Sequence, residues 1–265
     1  MRIIRFLDDD DKVHFGTGYE NDSAIQLEGD LFDGLKETGI RIHVKKLLAP
    51  LVPSAIFCIG LNYKEHAGET GFKLPDYPAL FMKNPASVTN PGDPVIIPSV
   101  CSEKPEVDYE IELAVIIGKP AKNIPVSEAL NYILGYTIAN DVSARRWQKK
   151  AGGGQWVRGK SYDTFCPLGP AIITKNEIPD PQNLSLQCLL NEKIMQDSNT
   201  SNMIYSVAEL IAYLSQDTTL LPGTLILTGT PEGVGYVRTP PVFLKKGDVL
   251  KLKIDKLGIL INPVI

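Results

Sequence analysis

The chain has 265 residues, of which 43% are hydrophobic, with 20 prolines, 22 glycines and a formal net charge of −4. This apolar content excludes a disordered chain, and the many turn-forming residues favour numerous short strands. Proteins that bind nucleic acids normally have a basic excess, so the charge argues against that class. The length allows one large domain, or a main domain with a small appendage.

The cysteines and the N-terminus indicate the cell compartment. The four cysteines are Cys58, Cys101, Cys166 and Cys188. They form no C-x-x-C pair, which disfavours a zinc ribbon or a thioredoxin-like site and favours buried, reduced thiols. The first residues lack the pattern of a signal peptide, and no apolar run is long enough to span a bilayer. We therefore expect a cytoplasmic protein without a membrane partner.

Residues 1–50 have the pattern of a small β-rich region, which we separate from a main domain at 51–265. Arg2–Leu7 and Val13–Tyr19 are predicted strands, and the acidic run between them is a predicted turn. Residues 40–48 then lead to a proline-containing linker. His14 and His43 have no acidic or cysteine partner at the spacing of metal ligands, so we expect structural or surface roles for both.

A histidine and a glutamate follow the next predicted strand. Residues 56–60 are strand-like, and Gly60 begins a turn into helical sequence. In a helix, His66 and Glu69 lie three positions apart and can touch. A carboxylate beside an imidazole orients the ring and raises its basicity, which a general base requires. A histidine and a glutamate at this spacing are more often a surface pair without a catalytic role, so the pair alone is weak support for catalysis.

Two glutamates mark a hydrophobic stretch from Asp108 to Gly118, which is predicted to be a strand. Side chains alternate along a strand, so Glu110 and Glu112 point the same way, with backbones roughly 7 Å apart. Two buried acids without partners are energetically costly. The pattern therefore predicts a positive partner between them, and a divalent cation is the simplest candidate.

Two further charged residues have alternative interpretations. Val126–Leu134 has helical spacing, and residues 135–141 are predicted to be a strand that ends in Asp141. If a helix begins at Val142, Asp141 is its N-cap; otherwise Asp141 is a third oxygen ligand, and sequence spacing leaves both open. Lys160 follows Gly159 among apolar neighbours and either points inward or lies on the surface.

The C-terminal half is predicted to be mainly scaffold. Residues 151–155 form a glycine-rich loop without the residues of a phosphate-binding motif. A capping box at Ser206 and Glu209 opens a helix over 207–214. A strand over 224–228 leads into a glycine-rich bend that a ligand can approach closely. Alternating residues near 250–261 predict a hairpin.

Five motifs in this order resemble the fumarylacetoacetate hydrolase superfamily from about residue 55 to 262. They are Gly60–His66, Asp108–Leu113, Asn140–Arg145, Gly159–Gly169 and Leu227–Gly235. Residues 238–248 are especially similar to the branch called fumarylacetoacetate hydrolase domain-containing protein 2. The resemblance implies a mainly β (α+β) fold: a mixed β-sandwich roll with few helices, preceded by a small variable region. It also implies a homodimer.

The resemblance also assigns roles to single residues. It implies a metal site for Mg²⁺, Mn²⁺ or Ca²⁺ formed by Glu110, Glu112 and Asp141, and all-oxygen ligands independently suit such hard cations. It implies catalytic roles for His66, Glu69 and Lys160. The substrate-binding residues that it implies are Arg145, Gln148, Thr230 and Lys83.

The implied substrates are small 2-oxo acids that carry a second carbonyl. Three reactions proceed through the same pyruvate-type enolate: hydrolysis of a C–C bond, decarboxylation of oxaloacetate, and keto–enol tautomerisation. We favour hydrolysis of an acylpyruvate-like acid, with oxaloacetate tautomerase or decarboxylase as the alternative. A non-catalytic metal-binding homologue is a further alternative, and the complete set of site residues argues against it.

Overall fold

The computed structural model describes residues 1–71, 76–149, 151 and 153–265, and strands account for most of its regular structure. The strands up to residue 60 are β1 Arg2–Leu7, β2 Val13–Glu20, β3 Ser23–Asp30, β4 Gly34–His43, β5 Lys46–Leu48 and β6 Ala55–Gly60. Those that follow are β7 Ala79–Lys83, β8 Val88–Thr89, β9 Val107–Asp108, β10 Ile111–Ile117, β11 Ile133–Asn140, β12 Ser143–Ala144, β13 Cys166–Thr174, β14 Ser185–Leu190, β15 Lys193–Asn199, β16 Thr224–Leu227, β17 Val249–Ile254 and β18 Gly258–Pro263.

Helices are short in the described ranges. The α-helices are α1 Lys64–Thr70, α2 Arg145–Lys149, α3 Trp156–Lys160 and α4 Val207–Leu214. Turns of 3₁₀ helix cover Pro85–Ser87, Ser99–Cys101, Val126–Tyr132, Lys175–Glu177, Thr200–Asn202 and Gly235–Val237. No helix among the described residues is both long and apolar enough to cross a membrane. The mainly β fold with few helices that the sequence predicts is confirmed.

Most strands belong to one large mixed sheet. Its order is β4-β3-β2-β1-β13-β11-β10-β16-β6-β7, with β5 paired to β1 and β8 paired to β13. A four-stranded sheet, β15-β14-β17-β18, and a pair, β12-β9, contain the other described strands. The N-terminal strands join the large sheet because β1 pairs with β13, with Arg2 opposite Ile173. The domain boundary at residue 50 stays a prediction.

Strand β10 lies at the centre of the large sheet, between β11 and β16, and is buried along its whole length. Its side chains alternate between two hydrophobic clusters. Leu113 and Val115 pack in one cluster, whereas Ala114 and Ile116 pack in the other. Glu112 therefore projects on the same face as Ala114 and Ile116, into an otherwise apolar layer.

One edge of this sheet collects several chain segments. Ile111 at the start of β10 lies opposite Asn140 at the end of β11. Leu227 ends β16 beside Ala114, and the parallel strand β6 ends in the same direction. The residues that follow β6, β11 and β16 therefore meet those that precede β10, and this meeting point is the candidate site.

The predicted strand from Asp108 to Gly118 is divided in the structure. β9 ends at Asp108 and β10 begins at Ile111, so Glu110 lies outside both strands. The Glu110 N–H donates to the Asn140 Oδ1 at 2.9 Å, and the Ile111 N–H donates to the Gln196 Oε1 at 3.0 Å. Side chains thus accept the bonds of these two backbone N–H groups, although the Glu110 carbonyl still accepts a bond from the Asp141 N–H at 2.9 Å. The prediction that both glutamates share one strand is wrong.

The helix and strand boundaries between 126 and 148 also differ from the prediction. The predicted helix over 126–134 is a 3₁₀ helix that ends at Tyr132, whose carbonyl accepts a bond from the Gly118 N–H at 2.8 Å. β11 therefore begins at Ile133. The helix predicted to start at residue 142 starts at Arg145, because Ser143 first pairs with β9. Asp141 is consequently not a helix N-cap.

Other local predictions agree with the structure. β1 has the predicted bounds, α4 has the predicted capping box, and β17 and β18 form the predicted hairpin. All four cysteines are buried free thiols. The loop predicted over 151–155 includes Gly152, which lies outside the described residues.

The two N-terminal histidines have acidic partners that the sequence spacing did not indicate. The His14 Nε2 lies 2.7 Å from the Asp8 Oδ2, and the His43 Nδ1 lies 3.0 Å from the Asp9 Oδ1. The hairpin of β1 and β2 brings His14 to Asp8. These are ion-pair contacts of a scaffold region, in keeping with the structural or surface roles that we expect.

Candidate active site

Three buried carboxylates lie together at the edge of the large sheet. Glu110, Glu112 and Asp141 each offer an oxygen, and these oxygens all lie within 4.8 Å of one another. Glu110 precedes β10, Glu112 is the second residue of β10, and Asp141 directly follows β11. The register of β10 with β11 therefore brings Asp141 to the glutamates, as expected for a third ligand.

Two buried lysines bind this carboxylate cluster. The Lys160 Nζ lies 2.7 Å from the Glu110 Oε2 and 2.6 Å from the Asp141 Oδ2. The Lys83 Nζ donates to the Asp141 Oδ1 at 2.6 Å and to the Val142 carbonyl at 3.2 Å. Burial lowers the pKa of Lys160, but the charges of Asp141 and Glu110 outweigh it and raise this pKa above the usual value. Lys160 is thus an inward-pointing ammonium group.

Glu112 is the carboxylate of the cluster without a cationic partner among the described residues. Its Oε2 accepts a bond from the Gly229 N–H at 2.6 Å. Burial, together with the charges of Asp141 and Glu110, raises the pKa of Glu112 well above its usual value. A divalent cation would supply the missing positive charge, and a set of three carboxylates has the chemistry that hard cations prefer. The residues present therefore fit a metal ion.

Arg145 connects Glu110 to a fourth buried acid, Asp108. The Arg145 Nη1 lies 2.6 Å from the Glu110 Oε1, and the Arg145 Nε donates to the Asp108 Oδ2 at 2.8 Å. Burial raises the pKa of Glu110, but the charges of Arg145 and Lys160 outweigh it and hold this pKa at about 2. Glu110 is therefore ionised at neutral pH.

The predicted acid–base pair is formed in helix α1. The His66 Nδ1 lies 2.7 Å from the Glu69 Oε1, and the Glu69 Oε2 accepts a bond from the Gly233 N–H at 2.9 Å. Because Glu69 is held from two sides, it fixes the orientation of the imidazole. The Nε2 of His66 remains as the ring nitrogen available to a substrate.

A cavity of about 150 Å³ joins the acid–base pair to the carboxylates. Its described lining residues are Ile59, Gly60, Leu61, His66, Phe81, Glu110, Glu112, Arg145, Gln148, Lys149, Trp156, Lys160, Thr230 and Tyr236. Part of this wall is apolar, and the rest carries charges of both signs. Asp141 is fully buried next to this wall and reaches it through Lys160.

The predicted substrate-binding residues fall into two groups. Arg145, Gln148 and Thr230 line the cavity. The Gln148 Oε1 accepts a bond from the Arg145 Nη1 at 3.1 Å, so the Gln148 amide N–H groups remain for a ligand. The Thr230 hydroxyl donates to the Ile111 carbonyl at 3.0 Å and accepts a bond from the Gln196 Nε2 at 2.8 Å, so it already has a protein partner for both roles. Lys83 is not among the described residues that line the cavity. Its hydrogen bonds to Asp141 and to the Val142 carbonyl indicate that it holds Asp141 in place and does not contact a substrate.

Two glycines permit the close packing of this site. Gly229 has a φ of 100°, and a Cβ there would lie 2.7 Å from the Cβ of Asn62. Only glycine therefore places its N–H against Glu112 in this turn. A Cβ at Gly159 would collide with the backbone of Gln148, so this glycine lets α3 pack against α2. Both motif glycines thus determine where charged side chains point.

Several site residues were missed by the sequence reasoning. Asp108 accepts bonds from the Gly235 N–H at 2.8 Å and the Tyr236 N–H at 3.0 Å, and thereby ties the glycine-rich bend to Arg145. The alternation of acids at Asp108, Glu110 and Glu112 was a signal for it. Phe81, Lys149, Trp156 and Tyr236 line the cavity without a recognisable local pattern.

A larger groove, of about 790 Å³, lies elsewhere on the surface. It is bordered by segments near residues 101–107, 190–195 and 241–248. None of the predicted site residues lines it. Size alone therefore does not identify the active site, whereas the converging acid, base and carboxylates do.

Comparison with known families agrees with this geometry. The family described as fumarylacetoacetate (FAA) hydrolase C-terminal matches residues 55–265. A second family, described as Rv2993c-like, N-terminal, matches residues 1–50. The chain is 47% identical to the mitochondrial oxaloacetate tautomerase fahd2 of Xenopus laevis over 245 residues, which is 92% of this chain and 76% of that protein.

Solved structures share the fold over the whole chain. The 5-carboxymethyl-2-hydroxymuconate delta-isomerase of Mycobacterium smegmatis is 37% identical, with a TM-score of 0.86 and coverage of 100% of this chain and 99% of that one. The maleylpyruvate hydrolase of Sphingobium sp. SYK-6, in complex with manganese(II) and pyruvate, is 29% identical, with a TM-score of 0.79 and the same coverage. The chain therefore belongs to the fumarylacetoacetate hydrolase family, in its domain-containing protein 2 branch, and is an enzyme.

Proposed function

We propose that this enzyme is a divalent-metal-dependent keto–enol isomerase that acts on oxaloacetate. The observation that carries the proposal is that His66, hydrogen-bonded to Glu69, lines the same small cavity as Glu110 and Glu112. The similarity to a protein named oxaloacetate tautomerase supports the isomerase over the hydrolase that the sequence analysis favours.

The size of the cavity supports a small substrate. Pockets for drug-sized ligands have volumes of roughly 300–1,000 Å³. The cavity here has about 150 Å³. A four-carbon acid suits this space better than a long acyl chain does. Four-carbon oxaloacetate also meets the expectation of a 2-oxo acid with a second carbonyl.

The reaction exchanges a proton on the C2 oxygen for one on C3 and leaves all C–C bonds intact. From enol to keto, the hydroxyl on C2 loses its proton to solvent, and C3 gains one. We propose that the Nε2 of His66 donates the proton to C3, because the Nδ1 of this ring is bound to Glu69. The carboxylate of Glu69 stabilises the protonated ring and fixes its orientation. In the reverse direction His66 removes the C3 proton.

Negative charge develops on the C2 oxygen during this transfer. The Lys160 ammonium is buried at the cavity wall, where a fixed positive charge acts more strongly than in water. A divalent cation held by Glu110, Glu112 and Asp141 would polarise the 2-oxo group and neutralise part of this charge. Arg145 and Gln148 line the same wall and would hold the substrate carboxylate.

The test follows the enol absorbance of oxaloacetate in the presence of purified protein and Mg²⁺, with pyruvate and carbon dioxide measured in parallel. The proposal predicts accelerated loss of enol absorbance without release of either product. Release of pyruvate with carbon dioxide at the same rate would identify a decarboxylase instead. Boiled protein with Mg²⁺ is the control for metal-catalysed enolisation.

Hydrolysis of an acylpyruvate-like acid is the second candidate. It is supported by the similarity to maleylpyruvate hydrolase, whose structure contains manganese and pyruvate. In this reaction His66 would take a proton from water that attacks the 4-carbonyl. Incubation with acetylpyruvate distinguishes the candidates, because only the hydrolase releases pyruvate and acetate.

The proposal includes Mg²⁺ as the metal, with Mn²⁺ or Ca²⁺ as alternatives, and a homodimer located in the cytoplasm. Elemental analysis of protein purified without added metal identifies the bound metal. Sedimentation equilibrium measures the oligomeric state, and fractionation of the native cells determines the location.

A further inference from the structure

Lys149 differs from the other cations of the site in having no acidic partner among the described residues. Lys83, Lys160 and Arg145 each lie within 2.8 Å of at least one carboxylate oxygen. Lys149 also lines the cavity, but no carboxylate among the described residues forms an ion pair with it. Its charge is therefore available to an anion from outside the chain.

The position of Lys149 is determined by α2 and by Tyr236. Lys149 ends α2 four residues after Arg145, so both side chains lie on one face of the helix. The Lys149 Nζ lies 4.0 Å from the centre of the Tyr236 ring, and the Arg145 Cζ lies 4.4 Å from it. The aromatic ring thus holds two positive groups close together at the cavity wall.

Two neighbouring cations repel each other unless an anion joins them. Burial and the charge of Arg145 lower the pKa of Lys149. The charge of Arg145 is already shared between Asp108 and Glu110. No carboxylate in the described part of the chain compensates the charge of Lys149 in this way, and a bound carboxylate would supply that compensation.

We propose that Lys149 binds the second carboxylate of a 2-oxo dicarboxylic acid and so selects dicarboxylates over monocarboxylates. This inference rests on the proposed function for the placement of the 2-oxo acid head at the buried carboxylates. The apolar residues Phe81 and Trp156 pack edge to face, with 5.3 Å between the ring centroids. They form the part of the cavity wall that would suit an uncharged substrate tail.

The test measures binding rather than turnover, with two unreactive acids that differ by one carboxylate. Malate and lactate both have a 2-hydroxy acid head, and only malate has a second carboxylate. We expect that Lys149→Met weakens malate binding to the Mg²⁺-loaded protein on the order of tenfold and leaves lactate binding unchanged. Calorimetry or displacement of a fluorescent inhibitor measures both affinities.

Two further variants control for charge and for geometry. Lys122→Met makes the same change in net charge at an exposed residue outside the cavity and should leave malate binding unchanged. Lys149→Arg retains a cation and should retain most of the preference for malate. Equal affinities of malate and lactate for the parent protein, or an equal loss for both acids in Lys149→Met, would overturn the inference.

The outcome is separable from that of the proposed function. If oxaloacetate is not tautomerised but Lys149→Met selectively loses malate, the isomerase proposal fails and the dicarboxylate subsite stands. If oxaloacetate is tautomerised and Lys149→Met binds malate as the parent does, the isomerase stands and the role of Lys149 is refuted.

Discussion

At the residue scale, the site depends on where a few charges are held. His66 is buried, and its Nδ1 is occupied by Glu69, so one ring nitrogen remains for chemistry. Lys160 is held between two carboxylates and keeps its proton. Under the proposed function, His66 would move the proton and Lys160 would stabilise the developing negative charge.

Substitutions at His66 and Glu69 test the proposed role of His66 in proton transfer. We expect His66→Ala to lower kcat for oxaloacetate enol–keto conversion by about 10²–10⁴-fold, the range for loss of a general acid–base group. Glu69→Gln should cause a smaller loss and shift the pH–rate profile, because the amide still orients the ring but no longer stabilises its charge. Steady-state kinetics across pH measure both effects. Parent-like kinetics for His66→Ala would exclude it from the proton transfer.

Lys83→Met distinguishes a substrate contact from support of Asp141. The Lys83 side chain is fully buried against the Asp141 Oδ1, whereas the Asp141 Oδ2 binds Lys160. Removal of Lys83 therefore leaves one buried carboxylate oxygen without its donor, with an expected cost of about 1–3 kcal/mol in the free energy of unfolding. We expect weaker metal binding and an unchanged KM at saturating Mg²⁺. Denaturant unfolding, metal titration and kinetics provide the three readouts. A raised KM with normal metal affinity would favour the substrate contact that the sequence analysis assigns.

At the element scale, short helices at strand ends carry the functional groups. α1 follows β6 and carries His66, while α2 and α3 carry Arg145 and Lys160. The tight contact between α2 and α3 requires Gly159, because a Cβ there would meet the Gln148 backbone. The relative position of the two helices therefore sets the distance between the guanidinium and ammonium groups.

Gly159→Ala tests the importance of this helix contact. We expect overpacking to destabilise the protein by about 1–3 kcal/mol and to lower activity, because α3 must move with Lys160. Gly68→Ala is the matched control, since a Cβ at this helical position meets no atom within 4 Å. Its effect should be neutral or stabilising by up to about 1 kcal/mol. Thermal unfolding and kinetics compare the two, and equal effects would contradict the packing argument.

At the scale of the whole molecule, a metal ion would couple the site to the stability of the sheet. The three carboxylates come from the start of β10 and the end of β11, the central strands. An ion that binds only the folded protein adds about 2.7 kcal/mol at a concentration one hundred times its Kd. Folding stability and metal binding should therefore rise together.

Metal removal tests this coupling. We expect a chelator to abolish the activity and to lower Tm, and added Mg²⁺ or Mn²⁺ to restore both. Glu112→Gln removes the carboxylate that lacks a cationic partner among the described residues, so without metal it should be at least as stable as the parent. It should also lose the rise in Tm on addition of Mg²⁺. Differential scanning calorimetry measures each case, and an identical metal response in the variant would exclude Glu112 as a ligand.

The amino-acid sequence by itself determined the features that depend on neighbours within a few positions. The capping box of α4, the contact of His66 with Glu69 and the buried character of β10 follow from local spacing and apolar periodicity. The ordered motifs then placed the chain in its family. Local rules succeed in these cases because the interacting groups are joined by a short, regular stretch of backbone.

The tertiary structure decided how the distant charges pair. Lys160 reaches Glu110 across 50 residues and Asp141 across 19, and Lys83 reaches Asp141 across 58. Strand register brings these groups together, so sequence spacing left Asp141 open between cap and ligand and Lys160 open between surface and interior. The start of β10 at Ile111, after Glu110, likewise depends on side chains and strands far along the chain. So does the lack of an acidic partner for Lys149 among the residues that the structure describes. No local pattern encodes either feature.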